Sequence, residues 1–89
     1  MITWDESKRK INLQKHKIDL AQVESVFDGP VVTDEDERDN YGELRLQTFG
    51  LWRGRVVLLV WTPRAEDVAH LISCRYANRQ EADRYFESL

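Results

Sequence analysis

His16 stands between Lys15 and Lys17, and Arg64 and Arg75 stand where two apolar runs stop. An imidazole titrates near neutral pH, so it can take or give a proton during a reaction. Arginines at the ends of stiff strands hold a planar fork of donors in place, a rigid way to grip an anionic, phosphate-bearing ligand. Lys15 would add a second cation beside the imidazole. Each residue also has a plainer account. A histidine or lysine closing a helix favours the negative end of the helix dipole. Arg64 and Arg75 could pair with Glu66, Asp67 or Glu81.

A second tier surrounds these four. Arg45 and Arg55 fall on neighbouring hairpin strands and could extend a basic surface, although Glu43 could pair with either. Thr62 and Ser73 could donate to a phosphate, whereas strand hydroxyls commonly satisfy backbone carbonyls. Tyr76 and Tyr85 could stack on bases, but Tyr85 lies on an apolar helical face and reads as core. Simple alternation puts His70 on the sheet face opposite Ser73 and Arg75. Trp4 and Trp61 read as core, and Trp52, in a turn, as an exposed interface anchor.

The elements that must position these groups follow from patterning. Ile2 to Trp4 reads as a short strand, and Asp5 as the N-cap of a helix from Glu6 to His16, acidic at its start and basic at its end. Asp19 opens a second helix, with Leu20, Val23, Val26 and Phe27 at helical spacing, and Gly29-Pro30 stops it. Val31 to Thr33 is a strand. Residues 34 to 42 form an acidic connection with little reason to pack. Strands over Glu43 to Leu51 and Arg55 to Thr62 flank a turn at Trp52-Arg53-Gly54, and the second is apolar enough to be central. Ala69 to Cys74 is a further strand. Asn78 to Glu81 makes a capping box before a terminal helix with Ala82, Tyr85 and Phe86 on its apolar face. The fold class is α+β: a mostly antiparallel sheet of four to five strands, two N-terminal helices on one face, a C-terminal helix, and an open second face expected to hold the site.

Composition sets the bounds. With 89 residues the chain makes one domain, 1–89, around one modest core. Sixteen acids against thirteen bases give a net charge of −3, which argues against a dedicated nucleic-acid binder. The bases gather in the middle: residues 41 to 77 hold five against three acids. Cys74 is the only cysteine, so neither an internal disulfide nor a cysteine zinc cluster can form, and no set of residues suggests a metal or other cofactor. The longest apolar run, Val56 to Trp61, cannot span a bilayer. A cytoplasmic protein without a membrane partner is expected.

Trp4-Asp5-Glu6-Ser7-Lys8, Asn12 with Lys15-His16-Lys17-Ile18, Val26-Phe27-Asp28-Gly29-Pro30, Gly42-Glu43-Leu44-Arg45, Gly54-Arg55-Val56, Thr62-Pro63-Arg64 and Ile72-Ser73-Cys74-Arg75-Tyr76-Ala77, with Glu81 and Tyr85, resemble the BrnT family in order and spacing along nearly the whole chain. The resemblance implies a RelE-like fold and the toxin of a bacterial type II toxin–antitoxin pair. It also implies a ribonuclease that arrests translation, neutralised by a small DNA-binding antitoxin, BrnA.

Such a toxin would cleave RNA without metal, by transesterification. A base takes the ribose 2′-hydroxyl proton, cations stabilise the phosphate, and an acid protonates the departing 5′ oxygen. His16, Lys15, Arg64 and Arg75 are the candidates for those roles, with Arg45, Arg55, Thr62, Ser73 and Tyr76 as RNA contacts. A dimeric antitoxin implies a 2:2 complex that meets operator DNA only through the antitoxin, and the RNA substrate could lie on the ribosome. Residues 34 to 39 are expected to lie away from the cleft and to meet a basic antitoxin segment. Two other readings stand beside the nuclease: a ParE-like toxin that does not cleave RNA, and an inactive homologue serving only as a regulatory partner.

Overall fold

β4 (Arg55–Pro63) is apolar at every position from Val56 to Trp61, and the sheet places this strand at its centre. The computed structural model describes residues 1–89, with five strands in the order β1-β5-β4-β3-β2. The others are β1 (Ile2–Trp4), β2 (Val32–Glu35), β3 (Leu46–Trp52) and β5 (Ala69–Tyr76), and the helices are α1 (Glu6–His16) and α2 (Arg79–Glu87). The β3–β4 turn is only Arg53-Gly54, with φ of 51° and 77°. Two consecutive positive φ angles make the type I′ turn that matches strand twist. Trp52 therefore belongs to β3. It is 7% exposed within the core rather than an exposed anchor, and its indole donates to Gln22 O.

The sheet is mixed rather than antiparallel throughout. β2–β3, β3–β4 and β4–β5 are antiparallel, but β1 pairs parallel with β5. Hairpin logic governs only strands adjacent in sequence, and β1 and β5 are separated by nearly the whole chain.

The expected second helix is also different. Residues after Asp19 form two 3₁₀ segments, Leu20–Gln22 and Glu24–Asp28, with a break at Val23. Leu20, Val23 and Val26 recur every third residue, the period of a 3₁₀ turn, and all three are fully buried. They join Ile18, Trp52, Val57, Leu59, Leu71 and Cys74 in the core on one sheet face.

The two N-terminal segments do not share that face as a helix pair. α1 runs beside the free edge of β5, past the end of three-residue β1. Its Asn12 side chain donates to Cys74 O (2.9 Å) and accepts from Cys74 N (3.0 Å), standing in for a neighbouring strand. The other sheet face is not open: α2 crosses it, and the Tyr85 hydroxyl donates to Pro30 O at 2.6 Å. Asn78 and Glu81 form the expected capping box, whereas Asp5 makes no cap hydrogen bond.

Part of the acidic connection packs. Asp34 and Glu35 belong to β2, and the Asp36 carboxylate is buried against the Arg38 guanidinium, with two contacts of 2.8 Å. That pairing pulls the Asp36 carboxyl down to about 2. No helix is long and apolar enough to cross a membrane.

Candidate functional site

Helical spacing puts Lys8, Ile11, Asn12 and Lys15 on one stripe of α1. That stripe, with His16, faces Ile72 and Ser73 of β5 across a cleft of about 260 Å³. The lining contains lysines and a histidine but no carboxylate. Asn12 fixes the two walls relative to one another, because its amide also donates to Ile18 O, just beyond the helix end. Lys17 ends α1 in the left-handed conformation, φ 62°, and its ammonium turns back to Gln14 O.

Burial, then the charges of Lys15 and Arg75, push the His16 imidazole below its ordinary pKa. The ring is therefore mainly neutral at pH 7 and free to accept a proton. Arg75 reaches the same surroundings from β5. Its guanidinium binds both Glu81 oxygens, at 2.8 and 2.9 Å, and also donates to Tyr76 O. Glu81 is held at about 2 by this partner, so it stays ionised and fixes the arginine fork. Burial raises the Cys74 thiol to about 12, which removes it as a nucleophile at neutral pH.

A bulge in β5 shapes this wall. Val60 pairs with Ser73 but Trp61 with Leu71, leaving Ile72 as the extra residue. Each bulge resets the alternation. His70, expected on the opposite face from Ser73 and Arg75, consequently shares their face. Its Nδ1 hydrogen-bonds the Thr3 hydroxyl at 2.8 Å, and Nε2 lies 3.8 Å from Asp5.

The remaining sequence candidates separate into two ends of the sheet. Arg55 stacks over Tyr76 at 3.7 Å, at the Arg75 end of β5. Arg64 is at the other end, in the β4–β5 turn, where its N–H donates to Val68 O. Six residues of extended strand between Ala69 and Arg75 span roughly 20 Å. Arg64 lines a separate, larger groove of about 500 Å³ with Phe27, Trp61 and several carboxylates. Thr62 is buried across from His70. Arg45 precedes β3 near the same end, stacked over Tyr41 at 4.0 Å and 3.8 Å from Glu43, with its Nε unpartnered. The structure thus brings together Lys15, His16 and Ser73, with Arg75 close enough to act on the imidazole. It does not bring Arg64, Arg45 or Thr62 to that cleft.

Lys8 had no place among the sequence candidates, although its spacing of seven from Lys15 already put both on one helical stripe. Asn12 gave less warning, since one buried asparagine in a helix has no signature until the strand it serves is known.

The family model described as the ribonuclease toxin, BrnT, of type II toxin–antitoxin systems matches residues 4–81. The chain is similar to the Brucella abortus ribonuclease toxin BrnT, whose crystal structure at 1.1 Å resolution it resembles with 26% sequence identity and a TM-score of 0.69. The similarity covers 88% of this chain and 96% of that one. No curated protein matches the chain.

Proposed function

The chain belongs to the BrnT family of ribonuclease toxins of type II toxin–antitoxin systems, and on that premise we propose that it is a metal-independent endoribonuclease acting at the α1–β5 cleft. The observation carrying this reading is an acid-free cleft lined by lysines and a neutral-leaning imidazole, with Arg75, oriented by Glu81 outside the lining, near enough to act on that imidazole. His16 takes the 2′-hydroxyl proton. The oxygen then attacks the adjacent phosphorus, forming a 2′,3′-cyclic phosphate as the bond to the 5′ oxygen breaks and that oxygen takes a proton from solvent. Lys15 and the donors of Arg75 used by neither Glu81 nor Tyr76 O stabilise the charge on the phosphate, and Ser73 adds a hydroxyl donor. Lys8, Arg55 and Tyr76 extend the surface available to flanking nucleotides. Arg64 stands outside this reacting group because the β4–β5 turn holds it at the other end of β5.

In the cell the activity would be restrained by a BrnA-like antitoxin in a 2:2 complex that contacts operator DNA through the antitoxin. The test is induction of this chain alone in a bacterial host, with pulse-labelling of protein, RNA and DNA synthesis. Protein synthesis falling first supports the nuclease. DNA synthesis falling first would replace RNA with a gyrase-type target, and unaffected labelling with accumulating protein would show a regulatory partner without toxicity.

A further inference from the structure

The groove at the opposite end of the sheet has a different character from the cleft. Phe27 and Trp61 meet edge to face, 5.3 Å between ring centroids, and with Ile2, Pro63, Val68 and Ala69 they make its apolar part. Glu24, Asp28, Glu66 and Asp67 surround it against one arginine, Arg64, and the Met1 ammonium, which lies 3.3 Å from Glu24, so acids still outnumber cations on the rim. The turn that carries half of this rim is pinned by hydrogen bonds from Arg64 N to Val68 O and from Val68 N to Ala65 O. The carboxylates are thus presented from a fixed support. Both halves of the chemistry count: the aromatic pair offers area to an apolar side chain, and the rim attracts cations and repels phosphates.

We propose that this groove is the docking site for a basic, amphipathic segment of the protein antitoxin, which seats an apolar side chain against Phe27 and Trp61 while flanking lysines or arginines meet Glu24, Asp28, Glu66 and Asp67. The inference rests on the toxin–antitoxin reading and gives that partner a location. Charge complementarity selects a cationic protein segment over RNA, for which the acid-free cleft at the other end is the better match. The groove and the cleft share no lining residue, so a segment seated here holds the toxin without occupying the site around His16.

The test measures binding of the purified cognate antitoxin to the parent chain and to two variants. Glu66→Lys/Asp67→Lys reverses exposed charge on the rim, and Ala65→Arg places a bulky cation there. A control, Asp34→Lys/Glu37→Lys, reverses charge in the acidic stretch that the sequence alone offers as the antitoxin contact and that the groove replaces in this proposal. Thermal melting of each variant establishes that it is folded. The groove variants should bind at least tenfold more weakly, and raising salt should narrow the difference. The control should change affinity by less than twofold. Groove variants binding as tightly as the parent, a larger loss in the control, or RNA oligonucleotide crosslinking to the 61–68 segment would overturn the proposal. A parent chain that binds no antitoxin would instead remove the toxin–antitoxin reading beneath it. RNA cleavage is not part of the readout, so failure of the nuclease assignment would leave this result standing.

Discussion

Asn12 and Cys74 are joined through both polar groups of one amide: Asn12 Nδ2 donates to Cys74 O, and Cys74 N donates to Asn12 Oδ1. A third bond runs from Asn12 to Ile18 O. The asparagine is 3% exposed, so water is poorly placed to replace what it supplies. One side chain thereby completes the edge of β5 and sets the distance between Lys15–His16 and Ser73.

Asn12→Ala should lower unfolding free energy by on the order of 3 kcal/mol, because it leaves buried peptide groups without partners. Urea denaturation measures this directly. Asn12→Asp should be destabilising as well, since a carboxylate cannot donate to the two carbonyls.

Substituting His16 by Ala should reduce RNA cleavage by roughly 10²–10⁴-fold if the imidazole is the general base, with melting near that of the parent. The pH profile gives an independent reading. A depressed pKa favours the neutral base at pH 7, so the midpoint of the acidic limb should lie below 6.5, the ordinary histidine value. An acidic limb with its midpoint above 6.5 would contradict the burial and charge effects on the ring.

How much of this was legible in the chain depends on the range of the cause. Local signals located α1, the Asn78–Glu81 box and the central strand, because caps and apolar runs act over a few residues. The threefold spacing of Leu20, Val23 and Val26 was visible too, but it fits a helix face nearly as well as the 3₁₀ turns that form. Long-range causes were not visible: the parallel β1–β5 pair, α1 against the edge of β5, and the Ile72 bulge that turns His70 to the Arg75 face. For the candidate site, the chain suggested the residue types while the sheet decided which of them meet.

Glu81→Gln should make stability less dependent on acid. In the parent, ionised Glu81 is stabilised by Arg75 and the Asn78 N–H, and its pKa falls from 4.5 to about 2. The contribution is present above the unfolded-state value of 4.5 and is lost as pH falls from there towards 2. Unfolding curves between pH 3 and pH 7 should show a shallower slope in the variant, alongside lower stability at pH 7.

Gly50→Ala tests the close approach of the 3₁₀ segment to the sheet. An added Cβ would sit 2.5 Å from Val26 Cγ1 and 3.3 Å from Val31 Cγ1. Val26 is fully buried and has little room to yield, so a loss of about 1–3 kcal/mol is expected in chemical denaturation.

The most direct test of the central claim is cleavage of a defined RNA by the purified chain in excess chelator, with analysis of the new ends. The account predicts 2′,3′-cyclic phosphate and 5′-hydroxyl ends, with cleavage sharply reduced in folded His16→Ala and Lys15→Ala variants. Cleavage that requires a divalent metal, or that proceeds unchanged in both variants, would contradict it.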